Sequence, residues 1–223
     1  MTEPTNTKLA THIVALNYFS VIFIVAGISL SYYFTDNSIE MFAYFSIWIY
    51  LVPPLLARII ILVFGKPTGV VSTESKTHTL WWILFQLQLI FNRFSILEEA
   101  LRVIPGIYAL WLNLWGAKVN PFSFWAPGVT VMDRYHLSIG KGVILGTECM
   151  LSAHALIKKD NGDMFLIIDR VTIDPDALIG VRSIVPPGCH IHRSQIVAAQ
   201  KVLKPYTEIK NSKKTMLKDI DYK

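Results

Sequence analysis

Imidazole and carboxylate side chains are the candidates for chemistry in the second half of the chain. His154 stands directly before a polar loop, and Asp133, Glu148 and Asp160 are acids that nearby turns or that loop can bring close to it. A neutral imidazole within about 3 Å of a hydroxyl or amine can take its proton, and the ordinary pKa of histidine suits this at cytoplasmic pH. The imidazole then needs a carboxylate to orient it, and the spacing does not choose among the three acids. The ordinary alternative is a histidine at a turn beside a loop.

The other histidines and the two cysteines are weaker candidates. His136, His190 and His192 fall where an exposed ring is the ordinary explanation, whereas a zinc site of three histidines also needs an open position. Cys149 and Cys189 share the small-residue positions of a repeat. Both are therefore expected in the core rather than in a disulfide or a metal site. The sequence predicts no metal centre.

A repeat of six residues has to position these side chains. This period fits neither a lone helix nor ordinary strand alternation, but it is typical of stacked parallel β-helices. Each side of such a narrow prism needs one aliphatic residue on its axis and a small residue near its corner. Gly140, Gly146 and Gly180 follow three of the aliphatic residues and are expected to take positive φ there. The aliphatic positions are Ile139, Leu145 and Leu151, then Ile173, Ile179, Val185, Ile191 and Val197.

Two strings resemble the hexapeptide-repeat acyltransferases, "LSIGKGVILGTECMLSAH" and "VTIDPDALIGVRSIVPPGCHIHRSQIVAAQKVLKP". That family has a left-handed parallel β-helix that binds acyl-coenzyme A, most simply acetyl-coenzyme A. The resemblance implies that His154, at the end of "LSAH", is the general base, and that the chain forms a closed homotrimer. The residues in the stretch that resembles the coenzyme surface are Ser183, Ala198, Ala199 and Lys201.

One family element is replaced. Members usually follow the last coil with a glycine-proline-alanine element near the adenine, and "KPYTEIKNS" stands here instead. An acyl carrier protein is therefore an alternative donor.

The first third of the chain predicts membrane helices. Hydrophobic residues make up 52% of the chain and charged residues only 17%, where soluble domains have about a quarter. His12–Phe34 and Met41–Gly65 are each long enough to cross a bilayer. Basic residues flank the end of the second span, so the positive-inside rule places the later polar part in the cytoplasm. The prediction is an integral membrane protein of the membrane-anchored variety of this family.

A Trp-rich segment follows the two spans. Leu80–Phe94 and a second helix that starts at Ser95 and continues into the apolar stretch Leu101–Trp115 predict a helix pair. This pair is expected to lie in the interface or to be re-entrant, because its charged residues would otherwise sit at an awkward depth. Ser95 and Glu98 have the spacing of a capping box.

These observations divide the chain into four parts. Residues 1–78 hold the two transmembrane helices, 79–128 the helix pair and a junction, 129–205 the left-handed β-helix, and 206–223 a basic tail or short helix. Within the β-helix, Lys158–Asp163 is expected to leave the coil as a loop with a tight hairpin turn.

The predicted function is a membrane-anchored acyltransferase. It would move an acyl group, most simply acetyl, from a cytoplasmic thioester to a hydroxyl or amine of a lipid or lipid-linked acceptor. The main alternative is a non-catalytic β-helix scaffold at the membrane. A zinc-dependent protein similar to β-helical carbonic anhydrases is a weaker one, because its histidine spacing is not reproduced. The net charge is +5, but no nucleic-acid-binding motif is present.

Overall fold

The computed structural model describes residues 16–159 and 162–218. Within them a helical part precedes a part built from short parallel strands. The start of the first predicted span, from His12, lies outside the described residues, as does Asp160. The helices described are α1 Phe19–Phe34, α2 Ser38–Phe64, α3 Lys76–Arg93, α4 Ile96–Arg102 and α5 Ile107–Leu114, with strand β1 Gly69–Ser72 between α2 and α3.

Helix α2 is long and apolar enough to cross a membrane. The side chain of Asn37 accepts two backbone N–H groups of its first turn, and Gly65 at φ 81° follows its last residue. The helix continues through Pro53 and Pro54. Within residues 16–159 and 162–218, length and composition allow this one spanning helix, or two if α3 and α4 together form a broken span.

Helices α3 and α4 meet at a bend of 78°. Helix α3 begins before the predicted Leu80, because the Ser75 side chain accepts the His78 N–H and caps it. The predicted capping box at the bend is wrong. Ser95 takes a helical conformation without a side-chain cap, and Glu98 is buried in a network described below.

The short strands stack into three parallel sheets that the chain visits in rotation, so each circuit forms one coil. The first face holds β2 Lys118–Val119, β5 Leu137–Ile139, β10 Val171–Ile173, β13 His190–Ile191 and β15 Thr207–Lys210. The second holds β3 Phe124–Trp125, β6 Ile144–Leu145, β11 Leu178–Ile179 and β14 Ile196–Val197, and the third holds β4 Thr130–Val131, β7 Met150–Leu151 and β12 Ile184–Val185.

The coil begins earlier than predicted. Lys118 and Val119 pair in parallel with Ser138 and Ile139, so the first circuit starts before the expected residue 129. The repeat pattern does not reveal this first circuit, because a half-buried Trp125 stands at the next repeat position. In the later coils an aliphatic residue occupies that position.

The predicted aliphatic positions fill the axis of the coil, and all of them are buried. The expected role of the glycines is wrong, since Gly140, Gly146 and Gly180 are not among the residues of positive φ. They are needed because successive coils come close. A Cβ on Gly180 would lie 2.4 Å from the backbone nitrogen of Ala199. Positive φ falls instead on corner residues such as Arg182.

A hairpin leaves the coil where the loop is predicted. Strand β8 His154–Lys158 pairs antiparallel with β9 Met164–Ile168, which also pairs with β1. This hairpin therefore ties the coil to the segment between α2 and α3.

The predicted tail or short helix from residue 206 is wrong for the described residues. Strand β15 continues the first face, and β16 Lys213–Met216 folds back on it antiparallel. Asn211 and Ser212 both have positive φ, as a two-residue hairpin turn of type I′ requires.

Candidate functional site

His154 and Asp133 form a hydrogen-bonded pair at one corner of the coil. His154 Nδ1 lies 2.6 Å from Asp133 Oδ2. The Asp133 side chain is fully buried, while that of His154 keeps 17% of its surface exposed. Because Nδ1 faces the carboxylate, Nε2 is the nitrogen left to exchange a proton with a substrate.

Two successive coils bring this pair together. Asp133 follows β4 and precedes a short 3₁₀ turn, Arg134–His136, whereas His154 follows β7 and begins β8. Strands β4 and β7 are hydrogen-bonded neighbours in parallel register. Asp133, two residues after β4, and His154, three residues after β7, therefore occupy the same corner of adjacent coils.

Helix α3 covers this corner with aromatic side chains. The Trp81 indole N–H donates to Asp133 Oδ1 over 3.1 Å. The ring centroids of Trp81 and Phe85 lie 4.9 and 5.6 Å from the imidazole. Since these two residues are four apart, they share one face of the helix. The Asp133 carboxylate is thus shielded from solvent on one side of the imidazole.

The pair shifts the protonation equilibria of both groups. Burial by itself lowers the pKa of His154, but the charge and hydrogen bond of Asp133 outweigh it and raise that pKa above its ordinary value. Burial likewise raises the pKa of Asp133. The charge and hydrogen bond of His154, with smaller effects from His136 and Trp81, lower it overall. The carboxylate therefore stays ionised, and the imidazole is a stronger base than a free histidine.

A buried polar network fixes the turn that carries Asp133. The Arg134 backbone N–H donates to Gln88 Oε1 over 2.7 Å, and its Nε donates to Glu98 Oε1 over 2.9 Å. The Tyr108 hydroxyl donates to the same Glu98 oxygen over 2.9 Å. The Arg134 side chain has no exposed surface. Residues of α3, α4 and α5 thus hold this corner in place.

The segment after α2 attaches to the same turn. Lys66 Nζ donates to the carbonyls of Gly116 and Tyr135 over 2.7 and 2.6 Å. His136 Nε2 lies 2.7 Å from the Pro67 carbonyl. His136 is therefore a buried ring with a backbone partner, not the exposed ring that the sequence predicts.

Of the three candidate acids, the structure brings only Asp133 to His154 among the described residues. Glu148 lies at a corner with positive φ, and its Oε2 accepts from Arg182 Nε over 2.6 Å at the surface. Asp160 lies outside the described residues. Glu148 lies at the corner between the second and third faces, whereas His154 follows the third face, so the structure does not bring this candidate acid to the imidazole.

The predicted coenzyme surface lies at that other corner. Ser183 is buried, and its hydroxyl donates to the Ala198 carbonyl over 2.9 Å, so it serves the stacking of coils rather than a ligand. Ala198, Ala199 and Lys201 are exposed on the next coil. This surface faces away from the His154 corner of the same chain.

The helical side of the site is not predicted from the sequence. Trp81 and Phe85 both lie in the predicted Trp-rich helix from Leu80, but the sequence does not single out either of them as part of a site. Trp81 and Phe85 are four residues apart, and the Trp81 indole can donate a hydrogen bond. This spacing could have indicated an aromatic face on the helix. No short stretch of the sequence indicates which corner of the coil helix α3 covers, because Trp81 and Asp133 are far apart in the chain.

Comparison with known proteins gives structural neighbours only. No family model and no curated protein matches this chain. Among solved structures, a hexapeptide-repeat acetyltransferase of Vibrio cholerae complexed with acetyl coenzyme A is 14% identical, with 60% of this chain and 88% of that chain covered and a TM-score of 0.37. A galactoside acetyltransferase in complex with coenzyme A is 16% identical over 60% and 83% of the two chains, with a TM-score of 0.31. Serine acetyltransferase 1 of Entamoeba histolytica, in complex with L-cysteine, is 13% identical over 89% and 87%, with a TM-score of 0.25.

These neighbours are hexapeptide-repeat and other acetyltransferases, at low identity and low TM-score. We therefore base the function on contacts within this chain.

Proposed function

We propose that this chain transfers an acyl group from a thioester, most simply acetyl-coenzyme A, to a hydroxyl or amine of a lipid or lipid-linked acceptor. His154 is the general base, on a coil wound as a left-handed β-helix. The observation that carries the proposal is the hydrogen bond from His154 to the buried carboxylate of Asp133 beneath an aromatic helix.

In the proposed reaction each group has one step. His154 Nε2 takes the proton of the acceptor hydroxyl or amine as its oxygen or nitrogen attacks the thioester carbonyl carbon. The new bond to carbon forms, the carbon–sulfur bond breaks, and the imidazolium returns its proton to the leaving thiolate. Asp133 holds the Nδ1–H and stabilises the imidazolium that forms in between.

The helical part supports an acceptor in the membrane. Much of the apolar surface of α2 is exposed in the single chain, including Phe42, Leu62 and Phe64. A core helix of a soluble protein would bury such side chains, whereas a bilayer covers them. Helix α3 contacts both α2 and the imidazole, and we propose that the acceptor approaches Nε2 from this side.

Charge at the end of α2 supports a cytoplasmic coil. Arg58 lies against Gly116, and Lys66 bonds to the same residue at the start of the coil. The coil thus adjoins the basic end of α2, the end that the positive-inside rule assigns to the cytoplasm. Acyl-coenzyme A and acyl carrier proteins are available on that side.

A homotrimer is part of the proposal. The outward side chains of the second face form one apolar column in register, and most are well exposed in the single chain. An apolar column of this kind is suited to packing against another copy. The column consists of Phe124, Ile144, Leu178 and Ile196.

The alternative is a scaffold without catalysis, which the internal role of Ser183 favours. Lipid extracts from cells that contain the wild-type chain, His154→Ala or no chain separate the two functions. The proposal expects an acylated lipid species only with the wild-type chain, and its mass difference identifies the acyl group. If no lipid species depends on the chain, or if His154→Ala restores it fully, the proposed transferase is wrong.

A further inference from the structure

A second cluster of histidine and carboxylate side chains lies on the first face of the coil. His190 projects from β13, His192 follows that strand, and Asp174 follows β10 one coil earlier. Strand β15 of the next coil contributes Glu208, which is in register with His190. The side chains keep between 23% and 33% of their surface exposed, so the cluster is open to solutes.

Three ligand atoms of this cluster converge. Asp174 Oδ2 lies 3.0 Å from His190 Nε2 and 3.7 Å from His192 Nδ1. Each of the three residues offers one ligand atom within 4.8 Å of those of the other two. Bonds of about 2.0–2.2 Å in a tetrahedral zinc site place ligand atoms roughly 3.4 Å apart. The converging atoms are therefore near the spacing that one zinc ion requires.

The cluster also contains the outer partner that a zinc-binding histidine needs. Glu208 Oε1 accepts a hydrogen bond from His192 Nε2 over 2.7 Å, and Thr215 Oγ1 donates to Glu208 Oε2 over 3.1 Å. With its proton on Nε2, His192 turns the lone pair of Nδ1 towards Asp174. A carboxylate in this position fixes the tautomer and raises the basicity of the ligand.

A shared ion requires the two imidazoles to turn out of the stack that they form in the structure, because each nitrogen lone pair lies in the plane of its ring. The ring centroids of His190 and His192 lie 3.9 Å apart at an interplanar angle of 24°. Both residues lie on one short stretch of the coil, so their positions depend on a rigid element rather than on a mobile loop.

We propose that Asp174, His190 and His192 bind one Zn²⁺ ion, with Glu208 as the carboxylate that orients His192. Two nitrogens and one carboxylate oxygen suit zinc and leave a fourth position for water. The ion joins two successive coils directly and a third through Glu208, so it stabilises the C-terminal end of the coil. The site differs from the carbonic-anhydrase alternative, since its ligands come from one chain and include a carboxylate.

Metal binding can be measured independently of acyl transfer. The full chain, purified in detergent without a histidine tag, is dialysed against Zn²⁺, and bound metal and the thermal unfolding midpoint are recorded. We expect one zinc per chain and a midpoint that rises with zinc concentration. Asp174→Asn and His192→Ala should lose both effects. Glu208→Gln should bind with an affinity about 10- to 100-fold lower.

Asp176→Asn is the matched control. Asp176 is two residues from Asp174 but pairs with Arg193 over 3.0 Å, so its variant should bind zinc as the wild type does. Should His192→Ala or Asp174→Asn fail to fold, Glu208→Gln alone still decides. Binding below one zinc per chain, or the same affinity in Glu208→Gln as in the wild type, would overturn the site.

Discussion

The hydrogen bond between His154 and Asp133 determines at which pH the imidazole can act as a base. The pKa of His154 is raised, so neutral imidazole becomes available only as the pH rises through a pKa above that of free histidine. Below that value the imidazole is protonated and cannot accept a proton. Acyl transfer by the wild-type chain should therefore increase with pH through this raised pKa.

Asp133→Asn should move this pH dependence to lower pH. Removing the negative charge leaves burial as the main effect on His154, and burial lowers its pKa. The rate should also fall by roughly 10²-fold or more at the plateau, because the imidazole loses its orienting acceptor. A pH profile of kcat/KM for both proteins measures the two effects. If kcat/KM of the variant rises over the same pH range as that of the wild type, the assigned role of Asp133 is contradicted.

The Trp81 indole N–H should contribute to stability through its bond to the buried carboxylate. Trp81→Phe keeps an aromatic ring but leaves Asp133 Oδ1 without this donor, which should cost roughly 1.5–3 kcal/mol of unfolding free energy. Trp82→Phe is the control, since Trp82 Nε1 is buried without a hydrogen-bond partner among the described residues. Denaturant unfolding in detergent compares them. Equal losses in both variants would show that only ring packing matters.

At the scale of the elements, the buried Arg134 connects the helices to the coil. Glu98→Gln removes the negative charge beside a fully buried guanidinium and should cost about 3–5 kcal/mol of stability. Glu99→Gln, one residue later, changes an ion pair in which the carboxylate is about a third exposed, and it should cost less than Glu98→Gln. Thermal unfolding of the two variants in detergent tests this difference, and similar midpoints would contradict the account.

Local patterns predicted the elements better than their docking. The aliphatic period identified the coils from Leu137 onward, because one buried side chain per face is a strictly local requirement. The first coil was missed at Trp125, where an aromatic ring fills the same position. Glu98 resembled a helix cap by spacing alone, and its true partner Arg134 is 36 residues away. No short-range sequence pattern predicts such a contact.

The same distinction explains the candidate site. The resemblance at "LSAH" made His154 a candidate base, and Asp133 was among its three candidate partners. Asp133 can be selected among these acids only from the register of β4 against β7, and this register cannot be predicted from the sequence. The aromatic cover from α3 depends on how a helix packs on the coil, so it could only be seen in three dimensions.

At the scale of the whole molecule, the apolar column on the second face predicts the oligomeric state. Ile196→Lys places a charge on this column and should convert a trimer to monomers. Leu156→Lys changes an exposed apolar residue on the β8 hairpin, away from the column, and should leave the trimer intact. Analytical ultracentrifugation in detergent gives the masses. A wild-type monomer, or dissociation by both variants, would contradict a trimer formed through this face.

The helices, the coil and the hairpin β8–β9 meet at one corner, and that corner carries the imidazole. The most direct test of this account is the rate of acyl transfer from radiolabelled acetyl-coenzyme A to lipid extract by equal amounts of folded wild-type chain and His154→Ala. We expect transfer by the wild type and a rate about 10²- to 10⁴-fold lower in the variant, the usual contribution of a general base. Equal rates in the two proteins would show that His154 is not the base.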